Sequence, residues 1–254
     1  MKIGMKITAL LTALALAAGV HGVAAAAPRV ILVGDSTMAS ETGYGDALCK
    51  RMRPDVVCLN RAKGGRSSGS YRDEGSWDGV LQLLSDASSP TYVLLQFGHN
   101  DQPGKPGRST DLVREYPANL ARYVEELKAA HAIPVLVTPL TRREFRQGAL
   151  QNDLAPWAAA MRQVAHDEHV SLLELNADSS TAVQAMGESE ADSFAMAAPD
   201  SAASNATQKG DHYRGFDRTH LGAKGADYFS RMVAGEWQKA MPQVARLFTD
   251  GGAK

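Results

Sequence analysis

The chain has 254 residues, 44% of them hydrophobic, and 27 Lys and Arg against 28 Asp and Glu for a formal charge of −1. That much apolar surface can offset chain entropy, so disorder throughout is excluded, and the balanced charge excludes an electrostatic nucleic-acid binder. The length allows one large domain or two small ones.

The first feature in chain order is a leader. Lys2 and Lys6 give a positive start, Ile7 to Val20 is an apolar run broken only by Thr8 and Thr12, and Ala24 to Ala27 offer small residues for cleavage. This is the layout of a secretory signal. The run is shorter than the roughly 20 residues of a membrane span, which argues against the competing reading of an uncleaved anchor. Cleavage after Ala26 would remove 26 of the 254 residues and both early lysines, leaving 228 residues and a net charge of −3. The expectation is a signal peptide over 1–26, a single domain over 27–254, and a periplasmic or secreted destination without membrane association. Cys49 and Cys58 both lie in the exported part. An oxidising compartment permits a bridge between them, two buried free thiols are equally compatible, and neither their number nor their spacing suggests zinc.

Five short apolar runs follow: Val30–Val33, Val56–Leu59, Tyr92–Phe97, Pro134–Val137 and Ser171–Leu175. Each is rich in Val, Ile or Leu, which reads as strands buried on both faces. Helical spacing appears between and after them, over Tyr116–Ala130, Asn152–His169 and Ala223–Phe248. The alternation predicts an α/β fold, a parallel sheet with helices on both faces, with ligands bound beyond the carboxyl ends of the strands. Glu188–Gly215, rich in Ala, Ser, Asp and Gly, has no period. It is expected to be a long loop, either a solvated insertion or a flap on substrate.

Four polar clusters could carry chemistry. The first strand runs into Gly34-Asp35-Ser36-Thr37-Met38, which puts a serine at the catalytic edge of such a sheet, although Ser and Asp also cap helices. The second leads to Asn60-Arg61-Ala62-Lys63-Gly64-Gly65-Arg66-Ser67-Ser68, whose paired glycines either present N–H groups to an anion or make a plain turn. The third ends in Gln96-Phe97-Gly98-His99-Asn100-Asp101, where Asn100 could offer its amide to an oxyanion or close an Asx-turn. Last comes Asp217-Arg218-Thr219-His220-Leu221-Gly222. An Asp three residues before a His can orient it as a general base, or the segment can simply cap a helix. Three clusters follow three different strands, so they converge at one sheet edge. The fourth precedes a helix that must pack back on that sheet.

Together these blocks resemble the SGNH (GDSL-type) hydrolases. Gly34-Asp35-Ser36 matches the nucleophile block, Gly65 the glycine block, Asn100 the asparagine block and Asp217/His220 the D-x-x-H block. Gly65-Arg66-Ser67-Ser68, Gln96 to Asp101, Glu74-Gly75 with Trp77, and Thr138-Pro139-Leu140 with Arg142-Arg143-Phe145 are similar to the rhamnogalacturonan acetylesterase branch. The likeness runs from about Val30 to Trp237. It implies a three-layer α/β/α sandwich with a flavodoxin-like central parallel sheet of about five strands. It also implies a serine esterase that releases acetyl groups from a plant cell-wall polysaccharide, the pectic rhamnogalacturonan backbone first among candidates. In that reading Ser36, His220 and Asp217 are catalytic, and the Ser36 and Gly65 N–H groups with the Asn100 amide form the oxyanion hole. No cofactor or metal takes part, the partner is an acetylated polysaccharide or oligosaccharide, and the enzyme is a monomer. Arg66, Arg142 and Arg143 are candidates for an acidic sugar, and Tyr71 and His99 for stacking on or hydrogen bonding to one.

Rival readings remain at this stage. Gly65-Arg66-Ser67-Ser68-Gly69 matches the G-x-S-x-G nucleophile elbow but lacks its strand-to-helix context. His166-Asp167-Glu168-His169 resembles a zinc motif without a third ligand. The ester could instead be xylan, a peptidoglycan sugar or a lipid, and a carbohydrate-binding protein with a dead site is the non-catalytic alternative.

Overall fold

Five short strands, the inner three buried almost throughout, build the centre of the molecule. The computed structural model describes residues 27–85, 89–197 and 216–249; the expected signal peptide lies outside them. The strands are β1 (Arg29–Gly34), β2 (Val57–Asn60), β3 (Thr91–Gln96), β4 (Ile133–Val137) and β7 (Ser171–Leu173), all parallel in the order β2-β1-β3-β4-β7. A short antiparallel ribbon, β5 (Phe145–Arg146) with β6 (Ala149–Leu150), is separate from the sheet.

Successive strand side chains point to opposite faces, and each face has its own core. Val30, Leu32, Tyr92, Leu94, Val135 and Val137 pack on one side. There they meet α1 (Gly45–Lys50), α6 (Leu175–Asp192) and α7 (Ala223–Ala240). Ile31, Val33, Val93, Leu95 and Leu136 pack on the other, against α3 (Ser76–Leu84), α4 (Glu115–Ala129) and α5 (Ala155–Asp167). A one-turn helix, α2 (Ser70–Asp73), leads into α3. The result is the expected three-layer α/β/α sandwich. In α7 the buried Phe229, Val233 and Trp237 recur every four residues, so one stripe faces the sheet. Trp237 meets Tyr92 edge-on at 5.5 Å.

Several sequence expectations need correction. Only the inner strands are buried on both faces. β2 is an edge strand and Val57 is 45% exposed, because nothing pairs beyond it. The run Ser171–Leu175 leaves the sheet at Leu173, and Leu175 opens α6. Most consequential is Glu188–Gly215. Its first five residues continue α6, which passes a non-helical Gly187 (φ 77°) and ends at Asp192. Residues 198–215 lie outside those described. The helix escaped notice because it buries few apolar side chains, Leu175, Val183 and Ala191 among them, and so carries little helical period. The last predicted helix is likewise two pieces, α7 and a 3₁₀ helix over Pro242–Leu247, since Pro242 cannot donate the bond that would continue α7.

Cys49, in α1, and Cys58, in β2, are joined by a disulfide with Cα atoms 5.5 Å apart. This resolves the choice that sequence left open, and it staples the edge strand to the helix covering it. Its loop is short, nine residues in separation, so chain-entropy arguments give about 2–3 kcal/mol. The paired Cys49→Ser, Cys58→Ser variant should melt roughly 5–10 °C below the parent in thermal denaturation.

Candidate active site

The register of the sheet brings three clusters together. Gly34 pairs with Gln96 across β1 and β3, and Leu32 pairs with Asn60 across β1 and β2. The chain segments leaving these strands therefore emerge side by side at the carboxyl edge, where the strand order reverses direction around β1. Gly34 has to be glycine, since a Cβ there would sit 2.6 Å from the Gln96 carbonyl.

Ser36 follows on a turn held from inside. The Asp35 carboxylate is fully buried and accepts from the Thr37 N–H (2.9 Å) and the Thr37 hydroxyl (2.8 Å), with His99 Nδ1 at 3.2 Å on its other oxygen. Burial raises the Asp35 pKa, but His99 and the two Thr37 donors outweigh it, and the carboxyl sits below its ordinary value. The amide of Gln96 donates to the Thr37 hydroxyl (2.6 Å) and its oxygen accepts from the Tyr44 hydroxyl (2.6 Å). The Ser36 carbonyl accepts from the Thr42 hydroxyl (2.7 Å). The side chains of Asp35 and Thr37 and the Ser36 carbonyl are thus each held by a partner.

Beyond β2 the chain stays beside β1, with Arg61 N–H on the Leu32 carbonyl and Lys63 N–H on that of Gly34. This delivers Gly64 and Gly65 to the serine. A Cβ on Gly64 would lie 3.7 Å from Ser36 Cβ, and Gly65 has φ +76°, a conformation that side chains rarely adopt. Beyond β3, Asn100 is buried next to the same loop. Its amide nitrogen donates to the Arg66 carbonyl (3.1 Å), and its oxygen accepts from Arg108 (3.3 Å). These contacts turn the Asn100 NH₂ toward the glycine loop. Among the described residues the N–H groups of Ser36 and Gly65 donate no hydrogen bond, so both are available to an anion beside the serine.

The fourth cluster arrives from the opposite end of the chain, just before α7. His220 Nε2 lies 2.8 Å from Ser36 Oγ, and His220 Nδ1 lies 2.8 Å from Asp217 Oδ2. The other Asp217 oxygen accepts from the N–H groups of Thr219 (2.9 Å) and His220 (3.0 Å). Burial pushes the Asp217 pKa up, but His220 and these two N–H groups prevail and hold it well below the usual carboxylate range. The arrangement is a hydroxyl, an imidazole and a carboxylate in line, the layout that activates a serine for acyl transfer.

The remaining sequence candidates separate. Tyr71 is buried, its ring 5.6 Å from Phe97 and its hydroxyl on the Arg61 carbonyl at 2.8 Å. It is a core residue and cannot stack on a sugar. Arg143 is also fully buried, bonded to backbone carbonyls of residues 217–220, and so cannot meet substrate either. His99 is spent on Asp35, although its Nε2 is buried with no partner among the described residues. Arg142 is buried and paired with Asp153, with Nε unpartnered. Arg66 remains 41% exposed, bonded to Glu74 and to the Gly64 carbonyl. Its hydrogen bond, with help from Ser76, holds Glu74 down to about 2.

Ser67, the rival nucleophile, is fully buried. It exchanges hydrogen bonds with Ser70 at the start of α2, the Ser70 N–H donating to its hydroxyl at 3.1 Å. It is spent inside the turn that leads into α2. His166 is largely exposed and bonded to Asp167, and among the described residues no cluster of three or more His, Cys, Asp or Glu side chains could hold a metal ion. Sequence reasoning overlooked Asp101. This buried carboxylate, pushed up to about 7 chiefly by burial, accepts from the Ser68 N–H (3.0 Å), the Ser68 hydroxyl and Thr110. It ties the glycine loop to the asparagine loop. An acidic residue directly after the asparagine block was the only visible signal.

Comparison with known proteins agrees with this geometry. The GDSL-like lipase/acylhydrolase family model matches residues 21–228, more than half of the chain. The chain is 29% identical over 215 residues to the probable rhamnogalacturonan acetylesterase YesY of Bacillus subtilis (strain 168), covering 82% of this chain and 91% of that one. It is also 29% identical over 216 residues to the rhamnogalacturonan acetylesterase RhgT of the same organism, covering 81% and 88%. A solved structure, YXIM_BACsu from Bacillus subtilis, shares the fold with a TM-score of 0.66 at 22% identity, over 83% of this chain and a little over half (56%) of that one. The chain therefore belongs to the GDSL-like lipase/acylhydrolase family, the SGNH hydrolases, as a carboxylic ester hydrolase similar to the rhamnogalacturonan acetylesterases.

Proposed function

We propose that this protein is an exported serine esterase that removes acetyl groups from a plant cell-wall polysaccharide, the rhamnogalacturonan backbone of pectin first among candidates. The observation that carries the reaction is the chain Asp217–His220–Ser36, with both links at 2.8 Å. The polymer rests on the likeness to curated rhamnogalacturonan acetylesterases. Export rests on the charged, apolar and small-residue pattern of residues 1–26. Among the described residues no helix is long and apolar enough to cross a membrane. The enzyme acts as a monomer in this reading.

Ser36 Oγ attacks the acetyl carbonyl carbon as its proton passes to His220 Nε2. Asp217, accepting from Nδ1, fixes the tautomer and stabilises the imidazolium. The carbonyl oxygen becomes an oxyanion, received by the Ser36 and Gly65 N–H groups and the Asn100 amide. Collapse breaks the ester bond, and the imidazolium proton goes to the departing sugar oxygen. Water then attacks the acetyl-enzyme, giving a proton to His220, and as the acyl bond to Ser36 breaks His220 returns that proton to Oγ and acetate leaves. These residues supply every group that acyl transfer requires. Arg66, with its exposed guanidinium, is the candidate to meet a galacturonate carboxylate.

The first test measures acetate released from acetylated rhamnogalacturonan and from acetylated xylan by the mature enzyme beside Ser36→Ala and Ser67→Ala. Release from the pectic polymer, lowered at least about 10³-fold by Ser36→Ala and retained in Ser67→Ala, is expected. Release from xylan instead would keep the mechanism and discard the polymer. Sugar binding with no release from any ester would establish the binding-protein reading. Asn100→Ala should lower kcat by about 10²–10³-fold.

The acid side of the pH profile follows from Asp217. Its pKa is depressed, so the carboxylate stays ionised as pH falls, and the acid-side loss of activity reports proton uptake by the general base, joined by Asp101, which is pushed up to about 7 and braces the glycine and asparagine loops. The plot of log kcat/KM against pH should therefore fall on the acid side with a slope of at least one and recover on return to neutrality. A flat profile through the acid range would remove His220 as the base.

A further inference from the structure

The four residues of the Asp217–His220 segment share one internal support. Arg143 Nη2 donates to the carbonyls of Asp217 (3.1 Å) and His220 (2.8 Å), and Nη1 to that of Thr219 (3.4 Å). The Arg143 backbone N–H donates to the Arg218 carbonyl (2.9 Å). Four consecutive carbonyls are thus collected by one residue, some 75 positions earlier in the chain.

The energetics of this contact are unusual. Arg143 is fully buried, and no carboxylate shares a hydrogen bond with it among the described residues. Burial lowers its pKa to about 10, with Asp217 and Asp192 opposing the shift and Arg218 adding to it, so the guanidinium remains charged at neutral pH. A buried cation is costly when only neutral acceptors meet it, and here its Nε has no partner at all. Each donor that is used points at the one segment carrying both Asp217 and His220. Packing alone would not require a charge at this position. A planar fork with several fixed donors can hold successive carbonyls in one orientation, which a lysine ammonium cannot do.

We infer that Arg143 is a positioning residue for the reaction: it clamps the backbone of residues 217–220 so that His220 Nε2 is presented to Ser36 and Nδ1 to Asp217. This rests on the esterase reading above. The clamp acts from beneath the loop and does not touch substrate. Arg218 provides a second, outer tie, its guanidinium bonded to Asp192 (2.9 and 3.0 Å) and Glu188 (2.6 Å) on α6.

The test compares the parent enzyme with Arg143→Lys and Arg143→Met on a chromogenic aryl acetate, which needs no polysaccharide contact. Displacing a catalytic group by about 1 Å costs on the order of 10²-fold. Arg143→Met should therefore lose about 10²-fold in kcat with KM within about twofold of the parent, and Arg143→Lys should recover part of the loss. The low-field NMR signal of the proton between His220 Nδ1 and Asp217, which a merely structural residue would not move, should shift or broaden in both variants. Folded variants with the parent's kcat and an unmoved signal would overturn the clamp. Failure of both variants to fold would overturn it too, making Arg143 a folding determinant. If the parent enzyme hydrolyses no acetyl ester, the esterase reading fails separately, and the proton signal still reports on the clamp.

Discussion

A hydrogen bond of 2.8 Å joins Ser36 to His220 across 184 positions of sequence, and much of the polar interior holds its two ends. At one end, Asp35 folds the serine turn around a buried carboxylate. At the other, Arg143 and Asp217 fix the imidazole from below and from the side. A bond of this length tolerates little displacement, and neither end belongs to a helix or strand. Each therefore depends on long-range polar contacts for a position that regular secondary structure would otherwise provide.

The same requirement explains why so much charge lies inside. Asp35, Asp101 and Arg143 are buried to an extent that apolar packing alone would never favour. Each is satisfied mainly by backbone or hydroxyl groups of a functional loop: Asp35 by Thr37, Asp101 by Ser68 and Thr110, Arg143 by residues 217–220. Buried ionic groups of this kind contribute less to stability than to holding one arrangement. The opposite directions of two neighbouring shifts fit this picture. Asp35 is lowered because donors surround it, whereas Asp101 is raised because burial exceeds the donors it has.

Contrasting fates among the candidate sugar contacts carry a general point. Tyr71, Arg142 and Arg143 are residue types that recognise acidic sugars well, yet the fold spends them inside. A side chain in a loop near a catalytic edge has two possible orientations, and spacing does not distinguish them. Arg66 and Arg143 differ only in which way the local backbone turns. The first reaches Glu74 at the surface, the second the carbonyls beneath the histidine.

Short continuous apolar runs and four short polar blocks were enough to read a parallel sheet and the convergence of Ser36, Gly65, Asn100, Asp217 and His220 at its edge. These features are local: a buried strand must be apolar, and a loop at its carboxyl end must carry the chemistry. Tertiary structure decided the rest. The α6 helix hid in an Ala/Ser-rich stretch because few of its side chains need burial. Whether Cys49 meets Cys58 depended on an edge strand lying against α1. The places of His99, Asp101 and Arg143 were settled by partners up to 77 residues away. A residue's type announces which bonds it can make, but only the packed chain determines which partner comes within 3 Å of it.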